Sequence, residues 1–214
     1  MPSNASGAFR YNRVDVYRLI DAYEELRPTG SGKRGLGHLT RASVVTLCAA
    51  WEQYVEDAMI EAVEHLIAGS AAPRDLPMPV QRWLSRQVRE AKNTLKPLEM
   101  AGDGWREVYR SYVQRAATDN HSPKTANIEK LWLDSIGIEQ SVCDTWSYSK
   151  KDINEFVQLR NEIAHKGRGA AHYVKFSWVK YYLDMISEVV RESDNFLGDQ
   201  LTAHLGNRPW RRRN

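Results

Sequence analysis

The chain has 214 residues, of which 42% are hydrophobic and 27% charged, and its formal net charge is +3. That balance supports a folded core, one domain with extensions, and excludes a disordered chain. Charges break every apolar run well before the ~20 residues a membrane helix needs, and the opening MPSNASGAFRYNR has no apolar leader core, so a cytoplasmic protein without a membrane partner is expected.

The mild positive charge permits an acidic partner without demanding one. It is concentrated at the end of the chain, where Arg208-Pro209-Trp210-Arg211-Arg212-Arg213 forms a basic tail, 206–214. Such a tail either solubilises the chain as a disordered end or touches phosphates while Trp210 stacks on a base. Cys48 and Cys143 are the only cysteines, and no CxxC, HExxH or zinc-finger spacing is present, so neither a metal, a cofactor nor a disulfide framework is expected.

Apolar residues recur with helical period almost throughout, and strand-like alternation is nearly absent. A first helix is predicted over 14–26, ended by Pro28. The glycine-rich link at 30–37 contains Gly32-Lys33, but Arg34 stands where a phosphate loop needs Ser or Thr, so it reads as a connector. A long helix follows over 39–67, with Val44, Leu47, Cys48, Trp51, Val55, Ala58, Met59, Ala62 and Leu66 on one stripe and Gly69 as its stop.

After a proline-rich turn come helices over 80–95, 105–116 and 126–136. Ser149 and Asp152 have capping-box spacing before the apolar line Ile153, Phe156, Val157, Leu159, Ile163. The last helix is predicted over 173–205, with Gly198 a point of kinking or fraying. Trp51, Trp83, Trp132 and Trp178 read as core anchors. The result is an all-α, antiparallel bundle with an irregular helical insert, divided as 1–38 (N-terminal helix and link), 39–205 (main domain) and the tail.

One stretch carries chemistry. Arg160-Asn161-Glu162-Ile163-Ala164-His165-Lys166-Gly167 ends a helix with a cation, an amide and an imidazole. Residues five apart are separated by about 7.5 Å of rise and about 140° of rotation, so Arg160 and His165 do not stack, whereas Asn161 and His165 share a face. Such groups also serve plain structural ends, because a histidine in a last turn suits the helix dipole.

The RxxxxH spacing in FVQLRNEIAHKG, together with LTRASVVTLCAAWEQYVEDAMIEAV at 39–63 and TANIEKLWLDSIGI at 125–138, resembles the RiboL-PSP-type branch of the HEPN superfamily. The resemblance covers most of 39–200. It implies a HEPN-type bundle that pairs as a homodimer and acts on RNA without a metal, as a toxin or defence effector with a possible antitoxin or defence-system partner.

On that reading His165 is the acid or base, since imidazole changes charge near neutral pH. Arg160 binds the scissile phosphate, and Asn161 orients the imidazole or a phosphate oxygen. Attack by the ribose 2′-OH leaves a 2′,3′-cyclic phosphate. A non-catalytic module for RNA, nucleotide or protein binding is the alternative.

Glu52 lies near the apolar stripe of the long helix, where a carboxylate wants a partner, and Arg160 is the expected one. The alternative is a surface carboxylate. Arg82, Arg86, Arg89 and Lys96 recur at near-helical steps as a basic stripe suited to phosphates or simply as a solvated face. Lys166 and Arg168 flank His165 and are candidate RNA contacts. His172 is assigned to a loop.

Overall fold

The computed structural model describes residues 1–27, 35–119, 122–166 and 174–213, with Lys166 described in its backbone alone. Helices α1 (Asn4–Asn12) and α2 (Val14–Leu26) are joined at Arg13, and both lie against α3 (Gly37–Gly69). The short α1 was not expected, because Gly7 interrupts it and it offers little apolar periodicity. It is held from outside its own sequence. Ser3 Oγ accepts from Ser6 N–H at 2.9 Å, and the Glu61 carboxylate of α3 accepts from the N–H groups of Asn4 and Ala5, each at 3.0 Å. A carboxylate there meets the positive end of the helix dipole.

The predicted bounds of α2 coincide with those observed. Helix α3 is two residues longer at each end than predicted. It buries more than one stripe. Ala50 and Tyr54 are as inaccessible as Trp51 and Val55, as expected of a helix packed on several sides. It contacts α1, α2, and also α6 (Gly104–Thr118), α7 (Thr125–Ile136), α8 (Lys150–Lys166) and α9 (Phe176–Leu205). No strand is present among the described residues. The all-α bundle expected from the sequence is the fold observed.

Between α3 and α6 lie α4 (Met78–Arg89) and the single turn α5 (Lys96–Glu99). The helix predicted over 80–95 stops early. Asn93 Oδ1 accepts from Leu95 N–H at 3.0 Å, a local turn that competes with helical hydrogen bonding. Lys96 consequently leaves the predicted basic stripe: its ammonium pairs with Glu99 at 2.6 Å and lies 5.5 Å from the Tyr112 ring centre. Helix α7 ends at Gly137, which adopts φ +74° and packs against α4. A Cβ at Gly137 would stand 2.4 Å from Pro77 Cβ and 3.1 Å from Val80 Cγ2.

Helix α9 passes through Gly198 without ending. The glycine instead makes room for the tail, since a Cβ there would lie 2.9 Å from Arg208 Nη2 and 3.1 Å from Trp210 Nε1. The expectations of a loose tail and of a base-stacking Trp210 are thereby corrected. Trp210 is only 7% exposed, packs beside His65 and donates Nε1–H to the Asp194 carbonyl at 3.0 Å, so it is not presented to a base. Nor is the tail a loose end. Arg213 N–H donates to Asn195 Oδ1 at 2.7 Å, Asn195 Nδ2 donates back to the Arg213 carbonyl at 2.8 Å, and Arg211 N–H reaches the Met1 carbonyl at 2.9 Å. The N-terminal helices and Trp210 share one continuous core with the rest of the bundle.

Trp51, Trp83 and Trp132 are buried as predicted, but Trp178 is 37% exposed. The buried line of α9 starts at Val179 and continues through Leu183 and Ile186, one position round from Trp178, which instead sits under the Lys175 ammonium at 5.5 Å.

Candidate active site

The helix that carries the site, α8, is fixed before its functional residues are reached. Ser149 N–H donates to Asp152 Oδ2 at 3.2 Å and Asp152 N–H donates to Ser149 Oγ at 3.2 Å, the reciprocal capping predicted. Lys150 bridges Glu129 and Asp144, each at 2.8 Å. Asn154 then ties α8 to the start of α7, accepting from Thr125 N–H and donating to Thr125 Oγ1, both at 3.0 Å. Ile153, Phe156, Val157, Leu159 and Ile163 are all buried, which sets the rotation of the helix. Burying five such side chains contributes on the order of 10 kcal/mol before chain entropy is counted.

That rotation brings Arg160 against α3. Its Nε donates to Cys48 Sγ at 3.4 Å and its Nη2 to Glu52 Oε2 at 3.1 Å. The two side chains of the ion pair are 19% and 24% exposed, at the edge of the core. Cys48 and Glu52 are four residues apart on α3, hence on one face, and together they grip the guanidinium. Burial works against the guanidinium's charge, but the Cys48 contact and the Glu52 carboxylate outweigh it and hold the group above its ordinary value. Burial raises the Cys48 thiol, with Arg160 pulling partly back, so Cys48 stays a thiol.

Asn161 is half-buried on the next position, and His165 is exposed near the C-terminal end of α8. On the outer face Gln158 Nε2 donates to Glu162 Oε1 at 3.2 Å. The corner therefore offers an oriented, partly buried cation about 1.4 helical turns from a solvent-facing imidazole.

The RiboL-PSP-HEPN family model matches residues 13–199. This chain belongs to that family. The match takes in α2, which the sequence resemblance had left outside. No curated protein sequence matches the chain, and no solved structure matches it. No described helix of this HEPN protein is long and apolar enough to cross a membrane.

The structure brings Arg160 and Glu52 together, with Asn161 and His165 following on the same helix. The stripe of Arg82, Arg86 and Arg89 lies on α4, exposed beside α7, and lines a groove with no α8 residue in it. The side chain of Lys166, and all of Arg168 and His172, lie outside the described residues. Sequence reasoning assigned Cys48 only to the core. Its spacing of four from Glu52 was the available signal that whatever Glu52 holds, Cys48 also touches.

Proposed function

We propose that this HEPN protein is a metal-independent endoribonuclease acting through RxxxxH. Arg160 binds the scissile phosphate, His165 transfers the proton, and Asn161 orients either the imidazole or a phosphate oxygen. The observation that carries the reading is the grip of Glu52 and Cys48 on Arg160. It fixes a cation in advance, a requirement for stabilising charge that develops during reaction. A guanidinium has five N–H donors and these two contacts use two of them, so a phosphate can occupy the remainder.

In the reaction, the ribose 2′-OH gives its proton to His165 as its oxygen attacks phosphorus. The bond to the 5′-oxygen breaks, and that oxygen takes a proton from His165 of a second copy of the chain. The products are a 2′,3′-cyclic phosphate and a 5′-hydroxyl. DNA has no 2′-OH and resists this route. The active species is a homodimer in the cytoplasm, in a toxin or defence setting where an antitoxin or similar partner restrains it. Lys166 and Arg168 are proposed to meet RNA beside the cleft.

The test is incubation of the purified chain with mixed RNA in EDTA, beside His165→Ala. The parent is expected to cut RNA and leave cyclic phosphate ends, with DNA intact. His165→Ala is expected to lose at least about 100-fold in rate, the usual worth of a general acid or base. Its stability should stay within about 0.5 kcal/mol of the parent, as for an exposed side chain. Equal cutting by His165→Ala overturns the mechanism.

A second reading has its own support. Arg160 is already engaged by Glu52 and mostly covered, as in a purely structural pair. On that reading the protein binds RNA or a nucleotide without cutting it, and the same incubation yields salt-dependent binding and no product.

A further inference from the structure

The groove between α4 and α7 is built asymmetrically. It has a volume of about 880 Å³ and is open to solvent on the flank of the insert. Its α4 wall carries Arg82, Arg86 and Arg89 at i, i+4 and i+7, one face of the helix, with rises of about 6 Å and about 4.5 Å between them. All three are exposed. No ion pair joins Arg82 or Arg89 to a carboxylate among the described residues, and Arg86 reaches Asp134 only at 3.8 Å. The opposite side carries Asp134, whose carboxylate is also held by the Lys130 ammonium, and Glu139, while exposed Met78 and Leu133 add apolar lining.

Three guanidinia in a row suit phosphates. Carboxylates facing them do not suit a second phosphate row, which a duplex would bring. A single strand, however, has one phosphate edge and one base edge. Its base edge can donate exocyclic amino protons to carboxylates, as cytosine N4 does to Asp or Glu, while apolar side chains and guanidinium planes take the base faces.

We propose that this groove is a second RNA-docking site, separate from the α8 corner. It holds single-stranded RNA with phosphates on Arg82, Arg86 and Arg89 and amino-bearing bases turned toward Glu139, Asp134 being already held by Lys130 and Arg86. The choice of RNA rests on the reading of α8 above; the strandedness, polarity and base preference come from the groove itself.

The test measures binding without turnover, so that it stands apart from cleavage. Fluorescent 12-mers of oligo(C) and oligo(U), and a 12-base-pair RNA duplex, are titrated onto the full chain carrying His165→Ala. Oligo(C) and oligo(U) differ at position 4 in an amino group against a carbonyl. Oligo(C) is expected to bind roughly ten-fold tighter than oligo(U), and Glu139→Ala to narrow that gap.

The triple variant Arg82→Gln, Arg86→Gln, Arg89→Gln is expected to weaken oligo(C) binding and to flatten its log–log salt slope by about 2, near 0.7 for each lost phosphate contact. An unchanged affinity and slope in a triple variant with an unaltered melting curve would overturn the site. Duplex binding equal to oligo(C) would overturn the single-strand assignment. Equal binding of the two oligomers would overturn the base-edge assignment. Competition by oligoglutamate as effective as unlabelled oligo(C) would overturn RNA in favour of an acidic protein. Loss of cleavage at α8 leaves these readouts unaffected, and failure of the groove leaves cleavage unaffected, so the two readings fall separately.

Discussion

The Arg160 guanidinium rests on the Glu52 carboxylate at 3.1 Å, joining residues 108 positions apart in the chain at the edge of the core. Replacing Glu52 with Ala leaves a mostly covered cation with Cys48 as its remaining α3 contact. The expected stability loss is roughly 1–3 kcal/mol, the cost of leaving a charged hydrogen-bonding group unmatched. Glu52→Gln retains an acceptor and should recover most of that stability. Turnover on RNA should nevertheless fall on the order of ten-fold in Glu52→Gln, in kcat more than KM, because a neutral amide holds the guanidinium less firmly. Urea unfolding midpoints and steady-state cleavage check the two halves. A purely structural pair would move the first and leave the second.

Both thiols are predicted to be inert in the folded protein. Burial raises the Cys48 thiol and pushes the Cys143 thiol up to about 12. A raised folded-state value means the thiol form is favoured by folding, so thiolate is scarce at pH 8 and the nucleophile is missing. The same shift makes ionisation work against the fold as pH rises above the unfolded value, so stability from this source falls in alkali. A disulfide reagent at pH 8 should label neither cysteine in buffer and both in urea. Prompt labelling of Cys48 in buffer would show that the α3–α8 seam opens.

Gly137→Ala is expected to destabilise the protein by about 2–4 kcal/mol. The left-handed backbone alone costs an L-residue about 1–2 kcal/mol, and the new methyl must displace Pro77, whose Cβ it would approach to 2.4 Å. Thermal and urea unfolding measure the loss. Because this contact seats α7 on α4, the variant should also widen the groove and reduce oligo(C) binding more than it reduces cleavage.

Trp210→Ala should cost about 3 kcal/mol, in the range for deleting a buried aromatic. It removes the packing on His65 and the hydrogen bond to Asp194. Affinity for RNA should stay unchanged wherever the variant remains folded, since Trp210 faces the core. A variant that melts like the parent but loses RNA binding would restore the base-stacking role that the burial of this side chain argues against.

The sequence by itself determined what depends on neighbours a few positions apart. Helical period placed the ends of α2, α3 and α7 to within two residues, and the Ser149–Asp152 spacing placed the start of α8. The grouping of Arg160, Asn161 and His165 at one helix end followed from their order alone. The pairing expected for Glu52 followed from the need of a carboxylate beside an apolar stripe for a cation, and the structure supplies the Arg160 guanidinium.

Only the tertiary structure decided which surfaces meet. Trp210 reads as a surface aromatic among arginines until α9 leaves room for it at Gly198. Trp178 reads as a core residue until the buried line of α9 passes beside it. Lys96 drops out of the basic stripe because an asparagine turn ends α4 early. Arg82, Arg86 and Arg89 meet two carboxylates because α7 packs beside α4, a close approach that Gly137 permits at Pro77. The reason is common to all four: periodicity reports which side of a helix is apolar, whereas burial and charge pairing are set by contacts whose partners lie far off along the chain, and those are chosen by packing.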